Sequence, residues 1–306
     1  MAQPGTDPRD VSTDDLRFLL AVARSGRLIS AATLLGVDHT TVRRRLDRLE
    51  AALGVRLLDR GADGWELTAI GRDVVARAAP LEHLVEEVVG AASGGDDAVR
   101  GTVRLVAPEA FGTLFVVPVL ARVQAAHPGI TVELVTSTRP LSVRGSGFDL
   151  AVTVGSAASS RLASQTLAPY SVRLYAARDY LAAQQPILSL ADLEQHPLVF
   201  YVDALLTVRE LDLAPVLAGM HVRFGSTNAF AQLEATRRGA GIGLLHAFMA
   251  DRDSDLVPVL PDLVDFRVPF SLSVRRDALA VDAVRLIRDE LLAEVESRRT
   301  ELVPAS

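Results

Sequence analysis

The stretch Leu28-Ile29-Ser30-Ala31-Ala32-Thr33-Leu34-Leu35-Gly36-Val37-Asp38-His39-Thr40-Thr41-Val42-Arg43-Arg44-Arg45-Leu46 decides the fold. Residues 28–35 read as a small-residue helix. Gly36-Val37 makes a tight turn, and Asp38 can cap a second helix running from His39 to Ala52. Two short helices joined by a turn containing glycine form a helix-turn-helix, whose second helix lies in the major groove of DNA. Val42, Leu46 and Leu49 are spaced four and three apart, so they share one buried face with Leu35 and Val37, while Ala31 and Ala32 permit close approach. His39, Thr40, Arg43 and Arg44 fall mainly on the opposite, exposed face, where an arginine can pair bidentately with guanine. A charge run is more often a solvated face; three consecutive arginines beside two threonines, behind such a turn, favour DNA.

The pattern continues outward on both sides. Gly54 is a natural C-terminal cap. Arg56–Arg60 and Trp65–Thr68 flank Gly61-Ala62-Asp63-Gly64, two extended runs around a turn, which predicts a β-hairpin and hence a wing. Upstream, Ser12 and Asp15 read as a capping box for a helix holding Leu16, Leu19, Leu20 and Ala23.

With these residues the chain resembles the LysR-type transcriptional regulators. Ala31-Ala32, Leu35-Gly36-Val37, Val42 with Arg44, Leu49-Glu50, Leu53-Gly54, Leu57-Leu58 with Arg60, and Leu67-Thr68 followed by Gly71 carry the resemblance. It is specific over residues 13–72 and weaker to about residue 296. The resemblance implies a winged helix-turn-helix, a linker helix that dimerises, and a two-lobed effector domain like a periplasmic binding protein. The residues expected to contact DNA are Arg27, Ser30, His39, Thr40, Thr41, Arg43, Arg44, Arg45, Arg48 and Arg60. Arg43 stands where the family usually has Ser or Thr, and His39 where it has a polar residue such as Gln, so the operator sequence is expected to differ. Near Ala62-Asp63 an acid replaces the usual basic residue of the wing, which leaves Arg60 as the better phosphate contact.

Composition bounds the rest. A chain of 306 residues allows two or three domains with their own cores. Neither an apolar run long enough to span a bilayer nor a basic leader is evident, so a cytoplasmic protein that avoids membranes is expected. The absence of cysteine removes disulfides and thiolate metal sites. All 32 basic residues are arginine, spread through every segment, which reads as genome composition. The net charge of −6 is unevenly placed: residues 12–72 hold ten arginines against eight acids, about +2. DNA affinity needs local positive charge, and so weakly basic a domain should bind better as a dimer.

From Ala69 to Ala92 apolar residues recur at Ile70, Val74, Ala78, Leu81, Val85 and Val88. Such a helix packs on its own protein or pairs with a copy; the resemblance favours pairing, as a homodimer and then a tetramer. Pro80 should bend it, and Ser93–Asp97 reads as a hinge. The expected domains are 10–68 (winged helix), 69–98 (linker) and 99–306 (effector domain, with lobe I about 101–166 and 269–306 and lobe II about 167–268).

Beyond Gly101, β-rich runs at Thr102–Ala107, Ile130–Val135, Asp149–Val154, Val172–Ala177, Leu198–Tyr201, His221–Phe224, Gly241–Leu245 and Phe270–Val274 alternate with helical stretches, including Leu114–His127 and Leu279–Val295. This is an α/β pattern, with ligands expected at the carboxyl ends of strands. The strand-end candidates for a small-molecule effector are Pro108, Glu109, Phe111, Ser137, Thr138, Tyr201, Thr227 and Asn228, with Ser226 or Thr227 capping the helix Ala229–Arg238. Glu109, the one charge among them, needs an arginine of the protein, a donor on the ligand, or solvent.

No enzyme motif is present: no Ser-His-Asp order, HExxH, GxSxG or P-loop. The six histidines lack ligand spacing, which argues against a metal site, and no cofactor is expected. Gly239–Gly243 precedes a strand, contrary to a dinucleotide fingerprint. The reading is a DNA-binding, effector-controlled regulator, with contact to RNA polymerase implied by the resemblance. The rival is a solute-binding or sensor module whose helix-turn-helix serves protein interaction.

Overall fold

The computed structural model describes residues 7–25, 27–61, 64–81, 84–85, 88, 99–136, 148–155, 162–202, 219–276 and 278–304. The chain divides into two compact units: Met1–Gly101 with Leu141–Phe148, and Thr102–Pro140 with Asp149–Ser306.

In the first unit, helices α1 (Thr13–Ser25), α2 (Leu28–Leu35) and α3 (His39–Leu53) precede the hairpin β1 (Leu58–Gly61) and β2 (Gly64–Leu67) and helix α4 (Ala69–Ala78). The predicted turn is realised because Gly36, at φ 66°, takes the left-handed conformation and returns its N–H to Thr33 and Ala32 carbonyls. Gly54, at φ 65°, closes α3 in the same way. Leu19, Ala31, Val42, Leu46, Leu49, Leu57 and Val75 are buried together in one core. The Glu50 carboxylate accepts from the Leu57 and Leu58 amides at 2.7 and 3.1 Å, tying the start of the wing to α3. Gly71 lies so close to Leu57 that an added Cβ would stand 2.0 Å from its carbonyl oxygen.

One expectation fails at α1. Asp15 does not form a capping box with Ser12. It is buried at 1% exposure and accepts from Arg48 Nε (2.5 Å), Arg48 Nη2 (2.6 Å) and Arg45 Nη1 (3.1 Å). A buried carboxylate needs charge-assisted partners, and α3 supplies them. At the end of α4, Pro80 has no N–H to donate. The helix stops at Ala78, although residues 80, 81, 84, 85 and 88 are helical again.

In the second unit, β3 (Gly101–Ala107) leads into α5 (Glu109–Ala126). Then come β4 (Ile130–Thr136), β5 (Leu150–Val154), β6 (Leu162–Ala177), α6 (Arg178–Ala182), β7 (Pro197–Phe200) and β8 (His221–Gly225). The chain ends through α7 (Ala229–Arg237), β9 (Ile242–His246), α8 (Ala247–Ala250), β10 (Leu256–Val259), β11 (Asp265–Arg275), α9 (Asp282–Ser297) and α10 (Arg299–Leu302). Among the described residues the strands run in the order β4-β3-β5-β11-β6-β9-β7-β8, with β10 also on β6. Strand β11 pairs along its whole length with Leu162–Arg173 of β6, from Leu162↔Arg275 to Arg173↔Asp265, with an irregularity between Phe270 and Ser271. One half of the sheet, β5 with β3 and β4, hangs on Phe270–Val274 of β11. The other, through β9 and β10, hangs on the second part of β6, Val172–Ala177. That is a two-lobed α/β architecture.

Contrary to the membrane expectation, the 18-residue helix α5 is long and apolar enough by composition to cross a bilayer. In the fold it carries core side chains instead, with Phe111, Phe115, Val116 and Val119 fully buried. Its first part is wound as a π-helix over Gly112–Val116, just ahead of Pro118. Pro118 cannot donate to the Leu114 carbonyl four residues back. Arg298 fills that vacancy, its Nη1 donating to Leu114 O at 2.9 Å while the guanidinium covers the Phe115 ring at 3.9 Å.

Candidate nucleic-acid interface and effector cleft

The exposed start of α3 is shaped by its cap. Asp38 Oδ1 accepts from the Thr40 amide (2.8 Å) and the Thr40 hydroxyl (2.6 Å), and these bonds hold its carboxyl below the usual range. Thr40 is therefore already engaged with the cap on the exposed side of α3. His39 is exposed, with Nδ1 3.6 Å from the same carboxylate. Arg44 is exposed on this face, and Thr41 is half-buried. Arg27 stands at the N-cap of α2 without a side-chain capping bond, and Ser30 is exposed on that helix.

The other arginines are placed differently from expectation. Arg45 and Arg48 reach Asp15, and Arg45 also reaches Asp14 at 3.1 Å; they brace α3 on α1, while the Arg48 side chain stays partly exposed. The arginine run marked them as DNA contacts but could not reveal the buried acid about thirty residues earlier. Arg43 pairs with Asp47 (Nη2 to Oδ1, 2.7 Å) and lies 4.3 Å from the centre of the Trp65 ring. Arg60, exposed on the wing, lies over that ring at 5.5 Å. Leu28, His39, Thr40, Arg43, Arg44, Asp47, Arg60 and Trp65 line one groove of about 680 Å³ between α3 and the wing. Trp65 and Asp47 were missed from the sequence. The available signal was a lone tryptophan in a polar hairpin, opposite Arg60 once the turn is fixed.

In the second unit the carboxyl ends of four strands converge. Glu109 follows β3, Tyr201 follows β7, Asn228 follows β8, and His246 ends β9. Glu109, half-buried, pairs with no arginine among the described residues; its partners within the chain are ones the sequence did not foresee. Its Oε1 accepts from Asn228 Nδ2 at 2.6 Å and its Oε2 from the Ala229 amide at 3.0 Å. It thus sits as an anion on the N-terminus of α7, where the helix dipole and free amides favour negative charge. The cap of α7 is Asn228, whose Oδ1 accepts from the Ala231 amide at 2.7 Å, and not Ser226 or Thr227. Ser226 Oγ instead accepts from the Asn228 amide at 3.1 Å, and Thr227 is exposed.

The Tyr201 hydroxyl stands 3.3 Å from His246 Nε2. Burial, aided by the charge of Glu109, pushes the phenol up to about 12. Burial also drives the His246 imidazole down to about 4, so the ring is neutral near pH 7; it stacks on Phe248 at 5.4 Å. His246 belongs to the constellation although its spacing in the sequence drew no attention to it. Phe111 is not a cleft wall. It is fully buried, stacked on Phe115 at 5.1 Å and tilted against Phe270 at 4.6 Å. Pro108 is half-buried at the N-cap of α5. Ser137 and Thr138 lie outside the described residues.

Comparison with known proteins agrees with this geometry. Residues 13–72 match the bacterial regulatory helix-turn-helix protein, lysR family, and residues 96–296 match the LysR substrate binding domain. An HTH-type transcriptional regulator of Xanthomonas campestris pv. campestris is 28% identical over 60% of this chain, a match spanning only about half (53%) of that regulator. The probable HTH-type transcriptional regulator LtrA of Klebsiella pneumoniae is 24% identical, over 81% of this chain and 82% of its own. ArgP from Mycobacterium tuberculosis shares the fold, with a TM-score of 0.70 at 18% identity, covering 92% of this chain and 96% of that one. The chain belongs to the LysR family, transcriptional regulators that join a helix-turn-helix domain to an effector-binding domain.

Proposed function

We propose that the first unit reads an operator through Arg44 and His39 on the exposed start of α3, with Arg60 meeting the phosphate backbone from the wing. The observation that carries this reading is the groove between α3 and the wing, where exposed cationic and polar side chains stand at a helix N-terminus. The protein acts in the cytoplasm as a regulator and not as an enzyme. Its contact with RNA polymerase is an extension from the family.

The linker pairs with a second copy. Ile70, Leu84, Val85 and Val88 are large apolar side chains left exposed in the single chain, which supports a homodimer and, through it, a tetramer. Residues 10–68, 69–98 and 99–306 are the functional segments, with the two lobes divided near the β6–β11 irregularity at Phe270.

The effector binds among Glu109, Tyr201, Asn228 and His246. A ligand carboxylate aimed at α7 would have to displace Glu109, so the cleft favours hydroxyl, amide or cationic groups over di-anions. Gel shifts with the upstream region of its own gene test the DNA reading. Wild type should bind that duplex and Arg44→Ala should bind it roughly tenfold less, as for loss of one base contact; an unshifted duplex with wild type would sink the reading.

A further inference from the structure

Arg43 is one of the two departures from the family pattern in α3, with His39, and its surroundings give it an unusual role. Its guanidinium holds Asp47, one turn along the helix, through two contacts: Nε to Oδ2 at 3.1 Å and Nη2 to Oδ1 at 2.7 Å. The same guanidinium lies 4.3 Å from the centre of the Trp65 ring. On the wing, Arg60 and Trp65 are register partners across the hairpin, and the Arg60 guanidinium lies 5.5 Å from that ring. An indole therefore faces two cations, one from the recognition helix and one from the wing. The ring face carries negative potential, so both contacts attract. Asp47 neutralises Arg43 and restrains it, leaving little of its charge for phosphate, whereas the neighbouring Arg44 is exposed.

We propose that Trp65 is a positioning residue of the DNA interface. It clamps the wing to α3 through Arg43, and so sets the span between Arg60 on the wing and the base-reading face of the helix. Arg43 works through this clamp and not on base edges. The inference rests on the reading of this unit as DNA-binding. Because the clamp governs how the wing meets the backbone, it controls affinity for any duplex and not preference among sequences.

The chain holds a single tryptophan, so tryptophan emission, excited selectively beyond the four tyrosines, reports on the wing alone. Without DNA, Arg43→Gln should shift that emission and make Trp65 easier to quench with acrylamide. On DNA, binding is compared for the upstream duplex and an unrelated duplex of equal length. Trp65→Ala should weaken both by the same factor, roughly fivefold for two lost cation–π contacts. Trp65→Phe should restore most of the loss by keeping an aromatic face, and it also serves if the alanine variant folds poorly. Arg44→Ala should lower only the upstream duplex. The proposal falls if Arg43→Gln leaves the emission unchanged, if Trp65→Ala binds both duplexes as wild type does, or if Arg43→Gln weakens only the upstream duplex. Should wild type bind neither duplex, the DNA reading fails while the emission measurement still decides the clamp.

Discussion

The carboxylate of Glu109 and the side-chain amide of Asn228 meet at 2.6 Å although 119 residues separate them. Glu109 opens α5 in one lobe and Asn228 caps α7 in the other, so this bond, with that to the Ala229 amide, ties lobe to lobe. Removing it by Glu109→Ala should cost about 1–2 kcal/mol, as for hydrogen bonds to a charged group that water partly replaces. Hydrogen exchange of the Ala229 and Ala231 amides should quicken in the variant, and unchanged exchange there would contradict an interlobe tie.

Asp15 gives a second test. Its burial is compensated by Arg45 and Arg48, so Asp15→Ala leaves two guanidiniums without their acid and opens a polar hole under α1. The expected cost is roughly 3 kcal/mol, the lower end for breaking a buried pair, since both arginines reach water. Thermal unfolding followed by Trp65 emission reads this unit, and a melting point equal to wild type would show that the pair is dispensable.

Arg298 replaces the amide that Pro118 lacks, and it also binds Glu294 and Glu301. Arg298→Lys keeps the charge but cannot reach all these acceptors at once. The variant should melt several degrees lower, consistent with about 1–3 kcal/mol for a carbonyl left unsatisfied. A lysine variant as stable as wild type would remove the role argued for the guanidinium.

His246 makes the second unit sensitive to mild acid. Unfolded, an imidazole takes a proton near its ordinary value of 6.5; folded, this one does so only near 4. The unfolded state therefore binds more protons between these values. The stability contributed by keeping His246 neutral is present above 6.5 and falls away as the pH drops through 6.5 toward 4. In His246→Phe, which keeps the stacking on Phe248, melting temperature should decline less over that window than in wild type. Parallel curves for the two proteins would show that another group dominates.

For the linker, replacing the exposed Val85 and Val88 by glutamate should give a monomer that no longer shifts operator DNA, because two half-sites add their contacts. Leu81, foreseen on the same stripe, packs instead on the core of its own unit. Sedimentation at tens of micromolar, a range in which weak helix pairs part, would decide the point; a dimeric double variant would refute pairing through this stripe.

The helix-turn-helix was legible because its determinants are local: Gly36 and Gly54 at left-handed turns, and Val42, Leu46 and Leu49 at helical spacing. The short strands of the second unit were legible for the same reason. Strand β10 and the first halves of the long strands β6 (Leu162–Ala177) and β11 (Asp265–Arg275) were not, because those runs carry no clear apolar alternation. Partnerships were not. Arg45 and Arg48 look like Arg44 in sequence, and only the packing of α1 on α3 separates bracing arginines from free ones. Likewise, residue order places Glu109 after a strand but says nothing of a helix N-terminus in the other lobe. His246 joins the candidate site only because β9 lies beside β7 in the sheet, with Leu198 against Ile242. Long-range adjacency is set by topology, which a periodicity does not carry.

The continuous pairing of β6 with β11 has a mechanical consequence. The lobes are not two bodies on a loose tether; they share two hydrogen-bonded strands, interrupted by one register slip near Phe270. Such a ribbon resists stretching and shear but yields to torsion, so relative lobe motion reduces to a twist about a single axis. Substitutions along it would alter the stiffness of that axis, and with it how far occupancy of the cleft is converted into rotation, without touching any group that meets ligand or DNA.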